Sequence, residues 1–289
     1  MKNEVLSSPI RWAGSKKRVL NDLLEFFSIN KVNYIEPFLG SGVVMLNVLN
    51  NNNILKYKNF YVNDINKSII DFYKYLKKSP KDLIKSLIDL SKIYNNKANL
   101  IEKEEMYYKI RKNFNEMKES RAVYFYFLMK VGFNGVYREN KKGLFNVPFG
   151  RKEKFIVNEN DLLAISKLIK NVHFYNLPYD RFLKMLEKKN KINDSFVYCD
   201  PPYIPEDFIL NKKQELYTNN NFDHIDFVNK LNDYKNADIM ISMSESGMAK
   251  KIYGKKFNQK KLTDIVRTIN PQKLFKSQEL LFLNYFIKK

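Results

Sequence analysis

Cysteine is nearly missing from this sequence: Cys199 is the single one in 289 residues, which excludes an internal disulfide framework. Two histidines leave little material for a zinc site, and no metal is expected. Long apolar runs are missing too. The longest, 123–129 and 280–283, fall far short of the ~20 residues a membrane span needs, so no membrane partner is expected. Met1-Lys2-Asn3-Glu4 lacks the apolar stretch of a signal peptide, and with the cysteine count this suits a reducing cytoplasm. Apolar residues still make up 44% of the chain, enough for a sizeable core and against wholesale disorder.

Negative charge is in short supply. The 51 basic residues outnumber 31 acidic ones, for a net +20. Either a polyanionic partner or a composition biased toward Lys, Asn, Ile and Tyr would produce this excess. Arginine discriminates better because only eight occur: Arg11, Arg18, Arg111, Arg121, Arg138, Arg151, Arg181 and Arg267. The charge is also clustered, with seven basic and two acidic residues in 130–154 and eleven and two in 248–289. That clustering favours a nucleic-acid surface.

Buried strands are predicted at 32–35, 60–62, 172–175, 196–199, 239–241 and 281–286. Helical patterns at 42–49, 67–76, 161–169, 179–186 and 224–231 alternate with them. Such alternation implies an α/β fold whose mostly parallel sheet is covered on both faces. It stops between about 79 and 160. Ser79-Pro80 reads as an N-cap with proline at the first helical position, and helices are predicted at 104–114 and 120–131. Gly132, Gly135, Gly143 and Gly150 then punctuate a basic, aromatic stretch that reads as a projecting hairpin. Residues 77–160 are therefore expected to form an inserted domain within a discontinuous catalytic domain, 1–76 and 161–289.

Glycine is scarce, with nine in the chain, so its placement carries information. In Tyr34-Ile35-Glu36-Pro37-Phe38-Leu39-Gly40-Ser41-Gly42 a strand runs through a tight turn into a helix. Missing side chains at Gly40 and Gly42 let backbone amides approach a ligand, although an ordinary turn would read the same way. In Val62-Asn63-Asp64-Ile65-Asn66 an acid stands at the next strand end. There a doubly wound fold places a carboxylate for ribose hydroxyls; capping the next helix is the plainer role. Together the two motifs indicate a nucleoside-containing cofactor without separating a nicotinamide dinucleotide from S-adenosylmethionine.

Asp200-Pro201-Pro202-Tyr203, closing the run that begins at Ser195, makes that separation. Consecutive prolines stop the strand and fix its backbone. Asp200 and the Pro201 carbonyl can then act as adjacent acceptors beside the Tyr203 ring. Two aimed acceptors pull an exocyclic amino nitrogen toward tetrahedral geometry and expose its lone pair to an electrophilic methyl. Cys199, one residue upstream, raises thiol-based cytosine methylation, but it lies inside the strand and reads as core.

These motifs resemble the Dam family of DNA adenine-N6 methyltransferases, alpha class and D12 type, over nearly the whole chain. Glu36-Pro37-Phe38-Leu39-Gly40-Ser41-Gly42 is similar to its cofactor motif, and Asp64 with Ile65 to its ribose-binding acid and neighbour. Asp200-Pro201-Pro202-Tyr203 matches its catalytic motif unaltered. Arg11-Trp12-Ala13-Gly14-Ser15-Lys16 resembles the element that completes the cofactor pocket, with Ser15 in place of a usual glycine. The resemblance implies a Rossmann-like methyltransferase fold using S-adenosylmethionine and releasing S-adenosylhomocysteine.

It also accounts for the hairpin. Asn134-Gly135-Val136-Tyr137-Arg138 and Gly143-Leu144-Phe145-Asn146-Val147-Pro148-Phe149-Gly150-Arg151 resemble the segment that reads GATC in double-stranded DNA. By that resemblance Arg138 reads a guanine edge, Val136 and Pro148 meet base-pair edges, and Asn134 and Arg151 hold the distorted duplex. Arg11 approaches an outer base pair. The target base leaves the duplex and takes its methyl by direct in-line transfer. The protein is then expected to be nucleoid-associated, its oligomeric state open and a monomer included.

Two departures and the rivals complete the reading. Ser242-Met243 replaces the usual Ser-Asn pair, which removes an expected polar contact near the site. Val266-Arg267-Thr268-Ile269-Asn270 and Glu279-Leu280-Leu281 are similar to the closing loop and strand. Cytosine-N4 enzymes typically carry Ser in place of Asp200, and protein-glutamine enzymes carry Asn. An rRNA adenine methyltransferase and a DNA-binding homologue without activity remain as alternatives.

Overall fold

The computed structural model describes residues 3–12, 14–117, 121–204, 222–262, 265–270 and 273–286. A 3-10 turn, Lys16–Val19, leads through α1 (Leu20–Leu24) to β1 (Asn33–Glu36). Then come α2 (Val43–Asn50), α3 (Asn52–Leu55), β2 (Asn59–Asn63) and α4 (Lys67–Lys78). The helices α5 (Pro80–Asn95), α6 (Leu100–Glu116) and α7 (Ala122–Val131) follow without an intervening strand. Alternation resumes with α8 (Glu159–Leu168), β3 (Val172–Tyr175), α9 (Tyr179–Lys188) and β4 (Ser195–Cys199). It continues through α10 (His224–Asp233), β5 (Asp238–Ser244), α11 (Gly247–Tyr253) and β6 (Asn258–Lys261). The chain closes with β7 (Ile265–Asn270), β8 (Lys273–Ser277) and β9 (Glu279–Leu283).

Seven strands form one sheet in the order β3-β2-β1-β4-β5-β9-β6, while β7 and β8 pair separately. The pairs joining β3 through β5 are parallel, whereas β9 runs antiparallel to β5 and to β6. This is the mostly parallel α/β sheet expected of an S-adenosylmethionine-dependent methyltransferase fold. Every residue of β4 is buried, as a strand covered on both faces requires. Side chains alternate between the faces with period two. Tyr34, Phe60, Phe196 and Tyr198 enter one core cluster, and Ile35, Tyr61, Val197 and Cys199 enter the other.

Strand order reverses at β1, which has β2 on one side and β4 on the other. Chains leaving the carboxyl ends of β1 and β4 therefore diverge and open a crevice. Glu36 is the last residue of β1, and Asp200 directly follows β4. Topology alone thus brings together two acids 164 positions apart in the sequence.

The inserted helices have no core of their own. Leu83, Tyr94, Tyr107 and Phe127 belong to the same buried cluster as Tyr34 and Phe60 of the sheet. Helix α7 is apolar nearly all round, as its sequence suggested, and packs against α4, α5 and α6. Ser79 holds the N-cap position of α5 and Pro80 its first helical position, but the Ser79 side chain makes no capping bond, contrary to expectation. The last strand also differs, running 279–283 rather than 281–286, because the chain bends at Asn284 and leaves Phe286 exposed.

Between Gly132 and Gly150 the expected hairpin is present in reduced form. Two isolated antiparallel bridges, Gly132 with Phe149 and Glu139 with Phe145, replace continuous strands. The Asn115 side chain bonds both the N–H and the carbonyl of Phe145, at 2.9 and 3.0 Å. Tyr107 and Arg111 donate to the Val147 carbonyl at 2.9 and 3.0 Å. Phe145, Val147 and Phe149 point inward, which turns Asn146 and Pro148 to the other side. Helix α6 therefore supplies hydrogen bonds that a second strand would otherwise make.

Candidate functional site

A cavity of about 540 Å³ occupies the crevice. Its lining joins four separate stretches: Trp12 with Gly14 to Lys16, residues between Glu36 and Val44, Asp64 with Ile65, and Tyr198 with Asp200 to Tyr203. Ala13 lies outside the described residues. Pro37 and Gly42 are not among the lining residues. The Pro37 carbonyl accepts from Asn63 at 3.0 Å, and Gly42 forms the turn behind the cavity wall.

That turn is held tightly. Gly42 adopts φ +75°, and a Cβ there would stand 2.5 Å from the Tyr73 hydroxyl. Tyr73 is itself fully buried and donates to the Ser41 carbonyl at 2.5 Å. Only glycine satisfies both the left-handed backbone and the close approach. Trp12 lies under the same turn, its indole 3.5 Å from where a Cβ of Gly40 would be.

Asp64 does not cap α4. Asn66 does so, accepting from the Ser68 N–H at 3.0 Å. Asp64 instead accepts from the Gly40 N–H and the Asn66 N–H, both at 2.8 Å, tying the second strand end to the glycine turn. Burial pushes its carboxyl up to about 6, opposed by those two backbone bonds. Glu36 is 1% exposed and accepts from the Tyr34 hydroxyl at 2.8 Å. Burial drives its carboxyl well above the ordinary range; the Tyr34 bond opposes the rise, and the nearby Asp200 and Asp64 reinforce it. Ile65, by contrast, is 70% exposed at the rim.

Lys16 organises the far wall. Only 3% exposed, its ammonium lies 2.5 Å from Asp200 Oδ2, 2.7 Å from the Tyr203 hydroxyl and 3.6 Å from Glu279 Oε1. Burial alone would lower its pKa, but Asp200 and Glu279 outweigh this and hold it well above normal. The ammonium is 5.1 Å from the Tyr203 ring centroid, so it meets the hydroxyl end rather than covering the ring. On the other oxygen of Asp200, Ser242 donates at 3.3 Å and is itself paired with the Tyr198 hydroxyl at 2.9 Å. Both carboxylate oxygens are thus oriented. Met243, which raised the expectation of a missing contact, is buried in the core cluster on the opposite sheet face. Cys199 is fully buried and burial raises its thiol, in keeping with a core role.

The other sequence-selected residues gather around the hairpin. Arg11 is exposed and packs on the 132–135 turn, where a Cβ on Gly135 (φ +61°) would stand 2.6 Å from Arg11 Cβ. Tyr137 stacks on Trp12 with ring centroids 5.6 Å apart, linking the hairpin to the cavity wall. Exposed Arg138 is oriented by Asn146, donating to Oδ1 at 2.8 Å and to the carbonyl at 3.4 Å. Asn134 and Arg151 both take left-handed backbone, φ +54° and +51°. That conformation costs a non-glycine residue roughly 1–3 kcal/mol and clusters at binding sites. Val136 is partly buried against the core and Pro148 is exposed.

Glu279, Tyr198 and Ser242 went unassigned in the sequence. An acid opening the apolar run Glu279-Leu280-Leu281-Phe282-Leu283 was a usable signal, since such a charge inside a sheet needs a partner. Tyr198 carried none, because the pairing of adjacent parallel strands sets its contact with Ser242, whereas the Ser242-Met243 pair had already pointed near the site.

The site is a crevice at the switch point of a doubly wound sheet, lined by the glycine turn, Asp64 and Asp200-Pro201-Pro202-Tyr203, as in an α/β enzyme. Residues 12–268 match the D12 class N6 adenine-specific DNA methyltransferase family, and the chain belongs to it. It is 35% identical over 256 residues to the type II methyltransferase M.MjaIII of Methanocaldococcus jannaschii, covering 81% of this chain and 83% of that protein. It is 28% identical to the DNA adenine methylase of Haemophilus influenzae, covering 94% and 91%. With the DNA adenine methylase of Escherichia coli K12 it shares 32% identity, covering 68% of this chain and 64% of that enzyme. The protein is a DNA adenine methyltransferase. Among the described residues no helix is long and apolar enough to cross a membrane, and no metal-ligating group of three is found.

Glu279 is 0% exposed, so removing Lys16 leaves a buried carboxylate facing Asp200. Lys16→Met is expected to destabilise the fold by about 3–5 kcal/mol. Urea denaturation measures it, and restored stability in Lys16→Met with Glu279→Gln is the expected partner result.

Proposed function

We propose that this enzyme transfers the methyl group of S-adenosylmethionine to adenine N6 within GATC in double-stranded DNA, by flipping the base and by direct in-line transfer. The observation that carries the reading is Asp200 at the sheet's switch point, both its oxygens oriented by Lys16 and Ser242.

The crevice fits the cofactor by the chemistry of its donors. Asp64 has acceptor oxygens for ribose hydroxyls, and Phe38 and Ile65 offer apolar surface for a purine. Glu36, Lys16, Trp12 and Gly14 surround the remaining volume and suit the methionyl portion with its cationic and anionic groups. Gly40 and Ser41 contribute backbone at the turn, with Pro37 and Gly42 shaping it. When bound, S-adenosylmethionine supplies an electrophilic methyl on a sulfonium.

The chain's own residues do the rest. Asp200 and the Pro201 carbonyl accept the two N–H groups of adenine N6, and Pro202 fixes their spacing. The Tyr203 ring, its hydroxyl anchored by Lys16 and Glu279, gives the extruded base a stacking face. Asp200 orients and polarises the amino group while Lys16 balances its charge.

Residues 77–160 serve as the target-recognition domain. Arg138, preset by Asn146, reads a guanine edge; Val136 and Pro148 contact base-pair edges. Asn134 and Arg151 brace the distorted backbone, and Arg11 approaches an outer base pair. The GATC assignment rests on likeness of the hairpin to the segment that reads that site.

Purified wild-type enzyme is expected to transfer tritiated methyl groups to a GATC duplex in preference to competing rRNA. Asp200→Ala should retain duplex binding and lose transfer. Preferential labelling of rRNA would reverse the substrate assignment, and binding without transfer by the wild type would identify an inactive homologue. Separately, Arg138→Ala should relax preference at a single base pair, at a cost of ~1–3 kcal/mol. Competition between duplexes altered one pair at a time measures this, and an unchanged profile removes Arg138 from base reading.

A further inference from the structure

A second cavity, of about 390 Å³, lies where the N-terminal segment, α7, α8 and the residues after the hairpin meet. Four of its lining residues are cations, Arg11, Lys130, Lys152 and Lys154. The single acid there, Asp161, accepts a hydrogen bond from the Asn158 side chain at 2.7 Å. Among the described residues none of the four cations forms a salt bridge. Lys16 and Lys31, by contrast, have carboxylate partners: Lys16 is held by two and Lys31 lies 3.4 Å from Asp238.

Lys130 is the telling member. It is partly buried near the end of α7, with its ammonium 5.2 Å from the Tyr126 ring centroid. Burial, with the charge of Arg11 added, pulls its pKa below the ordinary lysine value, and Asp161 offsets this only in part. Lys130 and Lys152 are half-buried there while Arg11 and Lys154 are exposed, and four cations against the one acid Asp161 leave an excess of positive charge in a concave place. A compact anion arriving there would balance that excess, and hydroxyl groups of Ser7 and Ser8 line the same cavity.

We propose that this cavity seats a backbone phosphate of the bound duplex, apart from the residues that read bases. A phosphodiester is compact, carries one charge and accepts several hydrogen bonds, which matches converging ammonium and guanidinium donors. Continuity with the hairpin selects DNA over a free anion. Arg11 packs on Gly135 of the base-reading turn, while Lys152 and Lys154 directly follow Arg151. The site also adjoins the cofactor wall, since Ser8 donates to the Ser41 carbonyl at 2.6 Å.

The proposal rests on duplex DNA being the substrate, but not on GATC being the site. The test uses the full chain and two short duplexes, one containing GATC and one scrambled, with dissociation constants measured at several salt concentrations between roughly 50 and 200 mM. Lys130→Gln and Lys154→Gln should each weaken both duplexes by the same factor, about three- to tenfold. Each should also lower the slope of log affinity against log salt by about 0.9. Lys130→Arg should restore the slope, which a role in folding alone would not predict. An unchanged slope in both glutamine variants overturns the phosphate site, as does a loss confined to the GATC duplex. Inorganic phosphate at millimolar concentration that competes with neither duplex in the wild type, yet binds there, would likewise assign the cavity to a free anion and overturn it.

Discussion

A single buried ammonium holds the reactive half of this enzyme together. Lys16 reaches from the N-terminal segment into the sheet and meets Asp200 after β4, Glu279 on β9 and the Tyr203 hydroxyl. It places one positive charge between two carboxylates and a hydroxyl from distant parts of the sequence. Their convergence fixes the backbone after the strand and leaves the Tyr203 ring face available. Ser242 completes the arrangement from β5.

The opposite wall depends on close backbone approach rather than charge. Gly42 turns against Tyr73, Asp64 bonds the Gly40 amide, and Trp12 lies below. Trp12 is also the ring on which Tyr137 of the hairpin stacks. The same indole therefore touches both the glycine turn of the crevice and Tyr137 of the hairpin.

Much of this was legible in the sequence because it depends on local pattern. Buried parallel strands show as short apolar runs, and β3 falls at the residues its run marked, 172–175. The glycine turn, Asp64 and Asp200-Pro201-Pro202-Tyr203 announce themselves by residue type and order. What stayed hidden depends on register and on the third dimension. Ser242 meets Tyr198 only because β4 and β5 pair in parallel with Tyr198 opposite Met240. The Ser79 side chain makes no capping bond although its residue type favours one, since capping also needs the right backbone geometry. The hairpin has bridges in place of strands because side chains of α6, which a local reading cannot see, satisfy its backbone.

In the proposed reaction Asp200, set at the switch point, orients adenine N6 for methyl transfer, in a sequence chosen by the Arg138 hairpin. Base-resolved sequencing of DNA from a methylation-free host expressing the wild-type chain tests it most directly. The account predicts N6-methyladenine at GATC throughout the genome and background levels elsewhere. Methylated adenines confined to another sequence would contradict the hairpin assignment, and a genome with none would contradict the catalytic one.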